Sequence, residues 1–221
     1  MDRSFYFERL YPLQDEVLRT LVGVDTGLYL SGGTAISRGY LHHRFSDDLD
    51  IFTNDSPQFS LWVDRATSAW AENPRWQTRF VVRDPRFVRL WIDADGEVSL
   101  KIEMINDVPS RVGEVRIDPI LGRLDSAENI LANKITALLD RNEPKDFADI
   151  WGLCCRLGLP IGEAIDGAAG KAAGVFPPEV ASRLCSVTRS DWQLVRWIDP
   201  PDPDRFVSEL VALGETLLLG G

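Results

Sequence analysis

The chain has 221 residues, 44% of them hydrophobic, and sets 34 acidic side chains against 24 Lys and Arg for a net charge of −10. That length supports a sizeable core in one domain or two small ones, while that charge excludes a protein that coats nucleic acid without specificity, which needs a basic surface. No run reaches the roughly 18 apolar residues of a membrane span, and the opening Met1-Asp2-Arg3-Ser4 lacks an apolar signal segment, so a cytoplasmic protein is expected.

Apolar residues at Phe7, Leu10, Leu13, Val17, Leu18 and Leu21 recur with a helical period and predict a helix over 3–22. Gly27 to Leu30 reads as a short strand that runs into Ser31-Gly32-Gly33, with a short helix from Thr34 to Tyr40 behind it. A second strand is expected over Asp48–Phe52, and a helix over Gln58–Trp70 after Ser56-Pro57. Three strand-like runs follow, Trp76–Val82, Phe87–Ile92 and Val98–Ile105, the last two joined by the turn Asp93-Ala94-Asp95-Gly96. After Arg116 the pattern becomes helical. Ser126 caps a helix that runs through Arg141, with Asn129 at its third position, and Asn142 and Pro144 open another that ends near Gly158. Further helices are expected over 161–173, 178–187 and 204–219. The fold class is therefore α+β, a mixed sheet with helices over 1–120 followed by a helical half over 121–221. Cys154, Cys155 and Cys185 have no metal-ligand spacing and read as free thiols, the first two within an apolar helical run.

The chemistry concentrates between Ser31 and Phe52. Without Cβ atoms, Gly32 and Gly33 let backbone N–H groups approach a triphosphate, and the start of the following helix favours negative charge. The turn has neither the Gly-Lys-Ser/Thr of a P-loop nor the Rossmann spacing. Ser31 or Thr34 adds a hydroxyl to a phosphate oxygen or caps the helix. On a strand, Asp48 and Asp50 share a face and leave Leu49 and Ile51 to the core; carboxylates about 7 Å apart in Cα position suit magnesium bound to nucleotide phosphates. Asp47 points the other way. Glu103 and Lys101 share the outer face of a later strand, where Glu103 is the candidate third carboxylate or the partner of Lys101. The adjacent His42 and His43 cannot both face one metal, so zinc is not expected. Arg44 matches phosphate geometry, and Ser46 starts the strand by bonding local backbone, with a secondary place at phosphate.

Lys134 lies among Ile130, Leu131, Ala137 and Leu138 on the apolar stripe of its helix, so it either snorkels to water or reaches into a cleft. Asp146 and Asp149 fall in the first turn of the next helix, where negative charge favours the dipole. Arg75, Arg79, Arg83, Arg86 and Arg89 stand against Asp84 alone, a local basic stretch in an acidic chain that would attract a polyanion or simply face solvent.

Read together, Gly32-Gly33-Thr34-Ala35, the segment His43-Arg44-Phe45-Ser46-Asp47-Asp48-Leu49-Asp50-Ile51-Phe52, Lys134 and Lys145-Asp146-Phe147-Ala148-Asp149 resemble the AbiEii/AbiGii family of nucleotidyltransferase toxins, within the DNA polymerase β-like superfamily. The resemblance covers about residues 28–155 and leaves the C-terminal stretch without a motif. It implies a polymerase-β-like domain over 1–120, with the helical domain over 121–221 completing the active-site cleft. It further implies Mg²⁺ on Asp48 and Asp50, a triphosphate lined by Gly32, Gly33 and Ser46, Lys134 at nucleotide phosphate or aiding the acceptor, and Asp146 in the last motif. The implied activity is transfer of a nucleoside monophosphate from an NTP to RNA, at the tRNA 3′ end, by the toxin of a toxin–antitoxin pair. A small-molecule nucleotidyltransferase of the antibiotic-modifying kind shares the glycine turn and acidic pair. A non-catalytic nucleotide-binding module is the third reading, against which the intact Asp48, Asp50 and Lys134 speak.

Overall fold

The structure, a computed structural model, describes residues 3–219. Helix α1 (Arg3–Phe5) passes through a π-helical segment (Tyr6–Leu10) into α2 (Tyr11–Val22). Strand β1 (Tyr29–Ser31) leads into α3 (Gly32–Ile36) and a second π-helical segment (Ser37–Leu41), followed by β2 (Leu49–Asn54) and α4 (Phe59–Ala71). Strands β3 (Trp76–Arg83), β4 (Phe87–Ala94), β5 (Val98–Asp107), β6 (Arg116–Asp118) and β7 (Gly122–Leu124) come next. Helices α5 (Ala127–Asp140), α6 (Pro144–Trp151), α7 (Ile161–Ala169), α8 (Pro177–Cys185), α9 (Arg189–Leu194) and α10 (Pro203–Leu219) complete the order, with a π-helical continuation of α6 over Gly152–Arg156.

Two compact units emerge. The first holds the chain up to Ala35, Ser46–Pro109 and Val115–Asp125; the second holds Ile36–Phe45, Ser110–Glu114 and the chain from Ser126 onward. The chain makes its last crossing between the units after Asp125, with two earlier excursions. Backbone and cap bonds explain those excursions: Phe45 N donates to Arg196 O at 2.8 Å, and Val112 N donates to Asn129 Oδ1 at 3.2 Å.

The first unit is built on a seven-stranded mixed sheet of order β3-β4-β5-β2-β1-β7-β6. One face is apolar because residues alternate on each strand: Leu49, Ile51, Leu90, Ile92, Leu100, Ile102 and Met104 are fully buried. With Val17 and Leu18 of α2 and Val63, Ala66 and Trp70 of α4 they form the core, each large side chain contributing about 1.5–3 kcal/mol by leaving water. Trp70 keeps its indole N–H satisfied by donating to Val17 O at 3.1 Å. The other face carries Asp50, Lys101, Glu103, Arg89 and Trp91, all half-buried.

The hairpin joining β4 and β5 turns at Asp95 and Gly96, both with positive φ (52° and 70°), the type I′ geometry that Asp-Gly favours. Three features depart from the sequence reading. The π-helical turn at Tyr6–Leu10 adds a residue to the turn and shifts the phase, so Tyr6 is buried while Phe7 stands 52% exposed. The short helix starts at Gly32 rather than Thr34. The hairpin β6–β7 lies where helices were expected, its turn closed by Asp118 Oδ1 accepting from Ile120 N and Leu121 N at 2.9 Å, with β7 parallel to β1.

The second unit is helical. Ser126 caps α5 by accepting from Asn129 N, and the core gathers Ile130, Ile135, Leu138, Phe147, Ile150, Val180, Leu184, Phe206 and Leu210. Trp151, Trp192, Trp197 and Phe206 pack as edge-on and tilted ring pairs. Helix α9 is absent from the sequence reading, although Thr188 and Asp191 form the reciprocal capping box that marks its start. The cysteines are free; burial pushes the Cys154 thiol up to about 12 and the half-buried Cys155 to about 11, while Cys185 is exposed. Among the described residues no helix is long and apolar enough to cross a membrane.

Candidate functional site

In the first unit the glycine turn and the acidic strand meet. Antiparallel pairing sets Ser31 opposite Asp50, and Gly32 follows with φ +66°. A Cβ on Gly32 would lie 2.1 Å from Asp50 Oδ2 and 2.9 Å from Asp50 Cβ, so only glycine permits the turn to pass under that carboxylate. The turn is fixed from within. Ser31 Oγ donates to Asp125 Oδ2 at 2.7 Å, and Thr34 Oγ1 donates to the Asp48 carbonyl and lies 2.9 Å from Ser46 Oγ. The hydroxyls of Ser31, Thr34 and Ser46 are buried, and their hydrogen bonds hold the turn from within.

Leu49 and Ile51 point to the core while Asp48 and Asp50 stay half-exposed, as alternation requires. Asp47 is turned away and accepts from Tyr6 Oη at 2.7 Å. Glu103 sits directly across from Asp50 in the parallel pair of β2 and β5, yet its Oε1 is held by Arg89 Nε at 2.7 Å and lies 3.4 Å from Lys101 Nζ. Lys101 Nζ is closer to Asp48 Oδ2, at 2.7 Å. Burial works against the Lys101 charge, but the Asp48 hydrogen bond and the charges of Asp48, Glu103 and Asp50 outweigh it and raise its pKa. Among the described residues no three His, Cys, Asp or Glu side chains converge on a metal position. Of the expected set Asp48, Asp50 and Glu103, the last is engaged by Arg89 and Lys101.

The second unit holds a different cluster. Asp149, fully buried, accepts from Arg44 Nε and Nη2 at 2.7 Å each, from His43 Nε2 at 2.9 Å and from Lys134 Nζ at 2.7 Å. Lys134 also donates to Asp146 Oδ1 at 2.9 Å, and Arg141 Nε to Asp146 Oδ2 at 2.9 Å. Burial would raise both carboxylates, but Arg44 and Lys134 hold Asp149 well below the usual range, and Lys134 and Arg141 lower Asp146. Lys134, buried as well, is raised because Asp149 and Asp146 outweigh its desolvation. Burial lowers His43 despite Asp149, and its Nδ1 has no partner among the described residues. His42 is exposed at φ 52°, ending the π-helical turn.

Residues late in the chain hold this cluster in place. Arg44 bridges to Trp197 in antiparallel fashion, Ile198 N donates to His43 O at 2.8 Å, and the His43 ring meets Trp197 edge-on. The motif-free C-terminal stretch therefore fixes the segment that carries Arg44. The basic run, in contrast, is not a free positive surface. Arg75 pairs with Glu16, Arg79 with Asp93, Arg83 with Asp64, Arg86 with Asp55 and Arg89 with Glu103. Arg79 and Arg83 also lie over the rings of Trp91 and Phe80.

The sequence profile of the family described as nucleotidyl transferase AbiEii toxin, Type IV TA system, matches residues 16–172. No curated protein sequence matches the chain. Among solved structures, JHP933 from Helicobacter pylori is 20% identical with a TM-score of 0.63, over 100% of this chain and 94% of that one. A nucleotidyltransferase from H. pylori is 20% identical with a TM-score of 0.58, over 95% of each chain. MenT4, a nucleotidyltransferase toxin from Mycobacterium tuberculosis H37Rv, is 16% identical with a TM-score of 0.58, over 95% of this chain and 82% of that one. At these identities the structural likeness speaks for the fold, and the profile speaks for the family.

Proposed function

This chain belongs to the AbiEii family of nucleotidyltransferase toxins, and from that premise we propose that it transfers a nucleoside monophosphate from an NTP to RNA, at the tRNA 3′ end, with Mg²⁺ on Asp48 and Asp50. It is a nucleotidyltransferase, and the family implies a nucleotide substrate and an antitoxin partner. The observation that carries the site is the Gly32 turn passing under Asp50, where no Cβ fits. It joins the phosphate-approaching backbone to the acidic strand.

The donors suit a hard cation: Asp50 on β2 and Asp48 just ahead of its first residue, beside an ammonium that already places positive charge on Asp48. Magnesium takes one or two protein carboxylates and completes its shell with phosphate oxygens and water, so a third protein ligand is not required. When bound, it would neutralise charge on the transferred and leaving phosphates. The acceptor hydroxyl oxygen bonds to the α-phosphorus as the bond to pyrophosphate breaks.

The chain's own residues divide the remaining roles. Gly32 and Gly33 offer backbone N–H groups to the triphosphate, and Ser31, Thr34 and Ser46 hold that turn rigid. Arg44, committed to Asp149 through Nε and Nη2 and to the Phe45 carbonyl through Nη1, acts as a positioning residue. Lys134 has three N–H donors, two of them spent on carboxylates that each already face an arginine. Lys134 and Asp146 hold each other within the helical unit, at 2.9 Å.

The test is incubation of the purified protein with each α-labelled NTP, MgCl₂ or EDTA, and total cellular RNA. Label should enter tRNA, and EDTA should abolish it. Label on a small molecule instead of RNA would return the antibiotic-type reading, and transfer unaffected by EDTA would sink the metal assignment.

A further inference from the structure

Lys101 has no role in transfer in the reading above, yet its ammonium lies between Asp48 and Glu103. Its Nζ is 2.7 Å from Asp48 Oδ2 and 3.4 Å from Glu103 Oε1. Glu103 has a separate cation in Arg89, which leaves Asp48 as the main partner of Lys101. The pair is neither buried nor freely solvated, with side chains 25% and 36% exposed. The face holds Asp48 and Asp50 two residues apart, like charges whose mutual repulsion rises when no cation is near. A lysine ammonium is a compact point charge on a flexible stem, able to leave one oxygen for another.

We propose that Lys101 is the resident counter-cation of the Asp48–Asp50 pair, occupying the Asp48 oxygen in the metal-free protein and giving it up when a divalent ion arrives. The inference rests on the reading that Asp48 and Asp50 hold that ion. A bare divalent ion must expel an ammonium from Asp48 and so binds weakly. An ion that arrives with a triphosphate brings new oxygens for the displaced ammonium, so the site discriminates for the metal–nucleotide complex. Lys101 is in this sense a positioning residue that acts through Asp48.

The experiment titrates Mn²⁺ without nucleotide into wild type, Lys101→Met, Lys101→Arg, Asp48→Asn and Asp50→Asn, reading free Mn²⁺ by electron paramagnetic resonance and folding by circular dichroism. Lys101→Met should tighten Mn²⁺ binding by roughly three- to tenfold, the range for a partly solvated pair. Its metal-free melting temperature should drop and recover with saturating Mn²⁺, while Lys101→Arg keeps the wild-type affinity. A loss of packing alone has no reason to tighten a metal. Unchanged or weaker Mn²⁺ binding in folded Lys101→Met would overturn the proposal, as would weakened NTP binding at constant Mn²⁺ affinity, which marks a phosphate contact. If Mn²⁺ binding survives in both Asp48→Asn and Asp50→Asn, the metal reading itself falls, a result distinct from a failure confined to Lys101.

Discussion

Two ionic clusters, one in each unit, use the same residue types to opposite ends. On the open sheet face, Asp48 and Asp50 are half-exposed, and the cations beside that face, Lys101 and Arg89, are shared with Glu103. In the helical unit, Asp149 and Asp146 are fully buried and each is met by two cationic side chains, Arg44 and Lys134 for the one and Lys134 and Arg141 for the other, with neutral His43 as a further donor to Asp149. The first arrangement keeps two carboxylates close together where solvent reaches both. The second leaves no carboxylate oxygen unmet, which is what buried charges require if they are to be tolerated at all. Solvent access therefore separates a cluster suited to exchanging partners from one suited to holding a shape.

The comparison breaks first at Asp149. Asp149→Asn leaves Arg44 and Lys134 buried without their shared counter-charge, and unfolding free energy should fall by about 3–5 kcal/mol. Urea denaturation measures it; a loss under about 1 kcal/mol would show that water or rearrangement compensates the cations, and the contrast between the clusters would dissolve.

The mirror experiment is Asp50→Asn. Transfer should drop by at least about 10²–10³-fold, as for removal of one preorganised electrostatic group. Stability should hold or rise slightly, because a repulsive neighbour of Asp48 is removed. Wild-type transfer with an unaltered melting temperature would remove Asp50 from the metal site. The pair of variants thus predicts a crossed pattern: one loses fold, the other loses chemistry.

A smaller effect comes from pH. His43 is lowered by burial, so between its folded value and the ordinary 6.5 the unfolded chain binds more protons than the folded one. Its contribution is therefore complete above pH 6.5 and declines as pH falls, by up to about 1.4 kcal/mol per pH unit. Asp146 and Asp149 are also lowered, but their contribution persists until pH falls below the ordinary carboxylate value of 3.8. The two windows are separate. Urea midpoints at pH 7.5 and 5.5 should show wild type losing about 1 kcal/mol more than His43→Gln, which keeps a donor for Asp149 without titrating. Parallel profiles for the two proteins would show that His43 does not sense this range.

How much of this is legible in the sequence depends on the distance over which partners meet. The Asp95-Gly96 turn, the Ser126 cap and the alternation that exposes Asp48 and Asp50 are local, and their chemistry is visible in a few consecutive residues. Lys134 betrays itself as a charge on an apolar stripe, although the pattern does not name what it meets. Arg44 and Asp149, 105 residues apart, carry no mutual signal, and neither do Ser31 and Asp125. Strands of three residues, β6 and β7, are too short to show a period. A π-helical turn defeats a fixed period of 3.6, which is why Tyr6 and Phe7 exchange roles. Glu103 shows the limit most clearly: its strand face follows from alternation, but its ion pair with Arg89 joins two strands and leaves no local mark.

The arginine run tests the same lesson at the surface. Along the chain, Arg75 to Arg89 is a basic island; in space, Glu16, Asp93, Asp64, Asp55 and Glu103 each face one of its members. Pairs at half-exposed positions contribute little stability, but they quench the field that would draw a polyanion. Arg79 and Arg83 are the most separable from Asp48 and Asp50, since they pair with Asp93 and Asp64 rather than with Glu103. Replacing both with Gln should leave the melting temperature within about 1 °C or two, because surface pairs are worth well under 1 kcal/mol. It should also change the slope of log transfer rate to tRNA against log salt concentration by less than about 1, since neutralised arginines release few counterions. A slope flattened by nearly two would mean that both arginines trade Asp93 and Asp64 for RNA phosphates in the complex, as their places over Trp91 and Phe80 would allow. In that case the surface ion pairs resemble the exchangeable Lys101–Asp48 contact more than the closed Asp149 cluster, and the boundary between the two behaviours runs along solvent exposure rather than between the two units.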